Sequence, residues 1–72
     1  MSKKEKLEVK IRNNPKNVSL DEFETLASKY GHIEMGGKHA KVRIGNVTLT
    51  YKRVNPIPTE YVTDLLEIID TI

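Results

Sequence analysis

His39 is set among Lys38, Lys41, Arg43 and Lys52, in a stretch (residues 38–54) that carries five Lys or Arg and no Asp or Glu. An imidazole titrates near neutrality and can take a proton from a hydroxyl. Fixed cations beside it stabilise the negative charge that builds on a phosphoryl group under attack. Together these groups suit RNA cleavage: His39 would act as base on a 2′-hydroxyl, while Lys41, Arg43 and Lys52 would hold the scissile and neighbouring phosphates. A second group to protonate the leaving oxygen is not evident, since His32 is the only other imidazole; a lysine or water would have to serve. A lone histidine on a strand face is more commonly a solvated residue, and strand Lys and Arg also discourage edge pairing. The catalytic reading therefore rests on the combination. Two histidines with no carboxylate at i+3 or i+4 argue against a metal site, and a chain with no cysteine has neither disulfides nor thiolate ligands.

These residues need a β-hairpin to hold them. Ala40, Val42 and Ile44 alternate with His39, Lys41 and Arg43, and after Gly45-Asn46 the residues Val47, Leu49 and Tyr51 alternate with Thr48, Thr50 and Lys52. Period two of this kind marks half-buried strands. A two-residue turn at Gly45-Asn46 pairs Ile44 with Val47, Val42 with Leu49 and His39 with Lys52. A second turn at Gly36-Gly37 would pair Met35 with Lys38, Ile33 with Ala40 and Glu34 with His39. That register puts His39 between Glu34, which could orient the imidazole, and Lys52.

Helices must cover the apolar side. Ser19-Leu20-Asp21-Glu22 is a capping box, with Val18 and Phe23 as a hydrophobic staple, so a helix starts at Leu20. Phe23, Leu26, Ala27 and Tyr30 recur at helical spacing, and Gly31 is expected to end the helix in the left-handed conformation. Beyond Asn55-Pro56-Ile57-Pro58, the residues Val62, Leu65, Leu66 and Ile69 mark a second helix with Asp64, Glu67 and Asp70 outward and Pro58 in its first turn. Residues 1–17 admit two readings. Leu7, Val9 and Ile11 alternate as in a strand, but Lys3 to Asn13 is rich in helix formers and Leu7 and Ile11 lie four apart, so a short helix is favoured.

The expected architecture is a small α+β domain, α-β-β-β-α over residues 18–72, preceded by a basic helical arm over residues 1–17. A three-stranded antiparallel meander has helices on one face and leaves His32, Glu34, His39, Lys41, Arg43, Thr48, Thr50 and Lys52 on the other. This arrangement resembles the double-stranded RNA-binding domain. The open face lacks the aromatic residues on which single-stranded bases stack, so phosphate and backbone contacts would dominate. Seventy-two residues are near the lower limit for one self-supporting core. The net charge of +2 hides a division: the arm and hairpin are basic, and residues 55–72 carry four acids and no Lys or Arg. Such a division suits an anion-binding face backed by a solvating one. No apolar run is long enough for a membrane span and no targeting segment is evident, so the cytoplasm is the expected location.

From Asn14 to Ile69 the sequence resembles the HicA toxins of toxin–antitoxin pairs. The resemblance is carried by Asn14-Pro15-Lys16-Asn17-Val18-Ser19 leading into a helix, Gly37-Lys38-His39 opening the second strand, Tyr51-Lys52-Arg53 closing the third, a proline-containing loop and a final helix. It implies a small endoribonuclease that cuts mRNA without a metal or other cofactor, uses His39 as its catalytic histidine, and is held inactive by a HicB-like antitoxin. Lys38 takes the place of the family's serine and would supply a phosphate contact, as would the basic strand end Lys52-Arg53; Gly37 supports the turn before the histidine. A non-catalytic RNA-binding or protein-interaction domain using the same face is the alternative.

Overall fold

The computed structural model describes residues 3–72, with side chains from Lys6 onward. The start of the basic arm, Met1 and Ser2 together with the side chains of Lys3, Lys4 and Glu5, lies outside the described residues. In chain order the elements are α1 (Lys3–Asn13), α2 (Leu20–Tyr30), β1 (His32–Gly36), β2 (His39–Ile44), β3 (Val47–Lys52) and α3 (Thr59–Thr71). The strands form one antiparallel sheet in the order β1-β2-β3, giving an α+β domain of the expected kind with the additional first helix.

Burial separates the two readings of residues 3–13. Leu7 packs against the core and Ile11, one helical turn on, is fully buried, while Val9 is exposed. Helical spacing puts the first two on one stripe and Val9 off it. Ile11 belongs to the same hydrophobic core as the rest of the domain, so the arm is built into the fold. The capping box at the start of α2 is complete: Ser19 Oγ accepts from the Glu22 amide and Glu22 Oε1 accepts from the Ser19 amide, each at 3.1 Å. Val18 and Phe23, the staple residues, are both buried.

At the end of α2 the structure corrects the expectation for Gly31. Its φ of −151° and ψ of −166° are extended, a conformation open to any residue, and not left-handed. The need for glycine comes from proximity. A Cβ at this position would lie 2.2 Å from the Arg43 carbonyl oxygen and 2.6 Å from Ile44 Cγ1, so the missing side chain lets the α2–β1 corner press onto β2.

The β2–β3 register is as expected, with Ile44 opposite Val47 and His39 opposite Lys52. The β1–β2 register is not. His32 pairs with Arg43, Glu34 with Lys41, Met35 with Ala40 and Gly36 with His39, a slip of two residues from the expected pairing. The turn consists of Gly37-Lys38, and Gly36 is a strand residue. Gly37 (φ 68°) and Gly45 (φ 60°) each occupy the first turn position, and among the described residues no other residue type has positive φ, the pattern of type II′ hairpins. Because the slip is even, each side chain stays on its expected face.

Ala40, Val42, Ile44 and Tyr51 from the sheet share one core with Phe23, Leu26 and Ala27 of α2 and Val62, Leu65 and Ile69 of α3. Phe23 meets Tyr51 edge to face at 4.7 Å between ring centres. Pro58 sits just before α3, at the cap position and not within the first turn. The loop ahead of it is tied to the start of α2 by Leu20 N–H to Asn55 Oδ1 (3.2 Å) and Ile57 N–H to the Val18 carbonyl (3.0 Å). Among the described residues no helix is long and apolar enough to cross a membrane.

Candidate nucleic-acid interface

With the helices on one side, the opposite face of the sheet is a grid of three rows. Gly36, His39 and Lys52 form the first row, Glu34, Lys41 and Thr50 the second, and His32, Arg43 and Thr48 the third. All nine residues are exposed. Rows repeat every two residues, about 7 Å along the strand, and neighbouring strands lie about 4.8 Å apart. His39, Lys41 and Arg43 therefore line up along the central strand, at a repeat that successive phosphates of an extended chain can follow.

The even slip changes what flanks His39. Lys52 lies opposite it on β3, as expected, but on β1 its partner is Gly36. Glu34 lies one row away, diagonal to His39 and directly across from Lys41, so the expected row Glu34-His39-Lys52 does not form. Two hollows open on this face. One of about 220 Å³ is lined by Glu34, Gly36, His39, Lys41 and Thr50, and one of about 170 Å³ by His32, Glu34, Lys41, Arg43 and Thr48. A larger cavity of about 440 Å³ lies elsewhere, between the end of α1 and the Asn55-Pro56 loop. Its charged lining residues, Lys10 and Glu22, pair with each other at 2.6 Å, leaving no free acid, base or cation for chemistry there.

The remaining cations divide by whether the fold occupies them. On α1, Lys10 is held by Glu22, and Arg12 by Glu8 at 3.2 Å and by both oxygens of Asp70 (2.8 and 3.3 Å). Glu8 also accepts from the Tyr30 hydroxyl and lies 3.5 Å from Lys29. The Tyr30 hydrogen bond outweighs the effect of burial and, with Arg12 and Lys29, holds the Glu8 carboxyl below its ordinary range. By contrast, Lys38, Lys41, Arg43 and Lys52 make no ion pair among the described residues. On α1 the fold thus engages Lys10 and Arg12, while the four hairpin cations stay exposed and unengaged among the described residues.

Arg53 stands apart from the other candidate phosphate ligands. One residue beyond β3, it is turned to the helix side and grips Glu24 of α2 with Nε (2.9 Å) and a terminal nitrogen (3.2 Å). Glu24 also accepts from the buried Tyr51 hydroxyl at 2.7 Å. Burial pushes the Glu24 carboxyl up, but the Arg53 and Tyr51 hydrogen bonds prevail and leave it below the usual carboxylate range. Burial, followed by the hydrogen bond to Glu24 and then its charge, drives the Tyr51 hydroxyl up. The Arg53 amide donates to the Lys38 carbonyl at 2.8 Å, so this cluster also pins the Gly37-Lys38 turn against the end of β3. Sequence reasoning missed Glu24, which in the sequence is one more solvated acid on an amphipathic helix.

Among the described residues no group of three or more His, Cys, Asp or Glu is placed to hold a metal ion. Comparison of the chain with protein-family models, with curated proteins and with solved structures returned no match.

Proposed function

We propose that this chain is a HicA-like toxin, a metal-independent endoribonuclease that cleaves mRNA with His39 as general base and is neutralised by a HicB-like antitoxin covering the basic face. The observation that carries the reading is the central strand: His39, Lys41 and Arg43 share one exposed face, Lys52 stands beside His39, and among the described residues no carboxylate pairs with these cations. His39 takes the 2′-hydroxyl proton, the freed oxygen attacks phosphorus, and the bond to the 5′-oxygen breaks to leave a cyclic phosphate. Lys52 and Lys41 stabilise the charge on the phosphorane-like transition state, and Arg43 and Lys38 hold neighbouring phosphates. The leaving oxygen takes its proton from water or a lysine. His32 is two rows from His39, about 14 Å along the strand, and is too distant to act as its partner.

That separation, with the absence of a carboxylate directly across from His39, favours a second reading in which the same face binds RNA or a protein without cutting. Induced expression of the wild type and of His39→Ala in a bacterial host separates the two, with mRNA followed in parallel. Growth arrest and mRNA decay from the wild type alone support catalysis. Intact mRNA with a soluble, folded wild type refutes it and leaves the binding module.

A further inference from the structure

Gly36 has no structural reason to be glycine. Its φ is not positive, and a Cβ there would meet only the His39 carbonyl oxygen, at 3.4 Å, an ordinary contact. Glycine within a strand weakens it, and a strand glycine often marks a place where a ligand comes close. What this glycine does is leave the square opposite His39 empty. The result is the hollow of about 220 Å³ bordered by Glu34, His39, Lys41 and Thr50, large enough for one planar base.

The groups around the hollow set what it would accept. Glu34 is exposed, with no hydrogen bond or ion pair among the described residues, and its carboxylate offers two acceptor oxygens side by side. Lys41, across from it in the same row, offers only donors. An edge that complements both carries two adjacent N–H donors next to an acceptor. Among the four RNA bases that is the Watson–Crick edge of guanine, with N1–H and the N2 amine beside O6. Adenine and cytosine each present one donor group there, and uracil places its single N–H between two acceptors. Unstacked bases of single-stranded RNA are commonly read on this edge.

We propose that the hollow formed by Gly36, Glu34 and Lys41 beside His39 is a guanine subsite, which selects the nucleotide flanking the phosphate that His39 addresses; this rests on the RNA-cleaving reading above. Glu34 accepts from N1–H and the N2 amine, Lys41 donates to O6, and the His39 ring borders the base. Glu34 is a specificity residue, and its negative charge opposes phosphate binding in general. The telling quantity is therefore the ratio of affinities between bases.

The test is binding of the wild-type chain to fluorescein-labelled 2′-O-methyl nonamers, which cannot be cleaved because the attacking hydroxyl is blocked. The probes are oligo-U with one central G, A, C or inosine. All carry the same charge, so the counterion contribution cancels in the ratio. The G probe is expected to bind about tenfold more tightly than the A or C probe. Inosine, which lacks the N2 amine, should fall between. Glu34→Gln should bring the G:A ratio close to one, the loss falling on the G probe relative to the A probe, and Gly36→Val, which fills the hollow, should do the same. If Gly36→Val does not fold, the exposed Glu34→Gln decides alone. Salt-sensitive binding with equal affinity for all probes, a preference for A or C, or a G preference that survives Glu34→Gln overturns the subsite and leaves the RNA reading standing. No binding to any nonamer overturns both.

Discussion

Replacing Gly31 with alanine places one methyl group where the structure has no room for it. The added Cβ would stand 2.2 Å from the Arg43 carbonyl oxygen and 2.6 Å from Ile44 Cγ1. A normal contact is about 3.4 Å or more, so the α2–β1 corner and the central strand must part by about 1 Å. The nearest atom is backbone in the middle of the sheet and cannot rotate away. Overpacking of this kind costs about 1–3 kcal/mol, and the rigid neighbour puts Gly31 at the upper end. Alanine can adopt the extended φ and ψ here, so a smaller unfolded-state entropy returns about 0.4–1 kcal/mol. The net expectation is about 2 kcal/mol of destabilisation, which for a domain this small lowers Tm by roughly 8–16 °C. Thermal and urea unfolding followed by circular dichroism measures it. Gly45→Ala is the comparison: nothing lies within 4 Å of its Cβ, and its φ of 60° predicts a loss of only about 1–2 kcal/mol from left-handed strain. A Gly31→Ala variant within about 0.5 kcal/mol of wild type would refute the close approach as the reason for glycine.

Two further outcomes follow from the division of charges. In RNA binding, Arg43→Gln and Lys52→Gln should each reduce the slope of log affinity against log salt by about 0.7, the loss of one phosphate contact on a single strand. Arg53→Gln should leave the slope unchanged and lower stability instead, because its partner is Glu24; an equal slope change for Arg53→Gln would mean that the Glu24 pair opens to release it. In acid, the carboxyls of Glu8, Glu22, Glu24 and Asp70 all titrate below their ordinary values of 4.5 for Glu and 3.8 for Asp. The unfolded chain therefore binds protons more readily than the folded one. The stabilisation is complete above the ordinary values and is lost as pH falls through the lower, folded ones. Tm measured at successive pH values should fall below about pH 4.5 and the fall should be shallower in Glu24→Gln, whereas a Tm unchanged down to about pH 3 would contradict the assigned ion pairs.

The elements and their faces are legible in the order of the amino acids alone. Apolar period two named the strands, apolar spacing of three and four named α2 and α3, and Ser19 with Glu22 fixed the residue at which α2 begins. That order also determined which side chains share the open face, and, through Gly45-Asn46, that Lys52 stands beside His39. What stands on the other side of His39 is set when the strands pair. A strand slipped by two keeps each side chain on its own face, so hydrophobic patterning specifies a register only to within an even number of residues. Gly36-Gly37 and Gly37-Lys38 are both plausible turns, and choosing between them puts glycine, not Glu34, opposite His39. Tertiary packing likewise set the Arg53–Glu24, Arg12–Asp70 and Lys10–Glu22 pairs, because an ion pair between residues far apart in sequence leaves no periodicity to read. Gly31 is the same case for glycine: its position after a helix suggests a left-handed cap, but the strand that excludes its Cβ is reached only when the chain folds back.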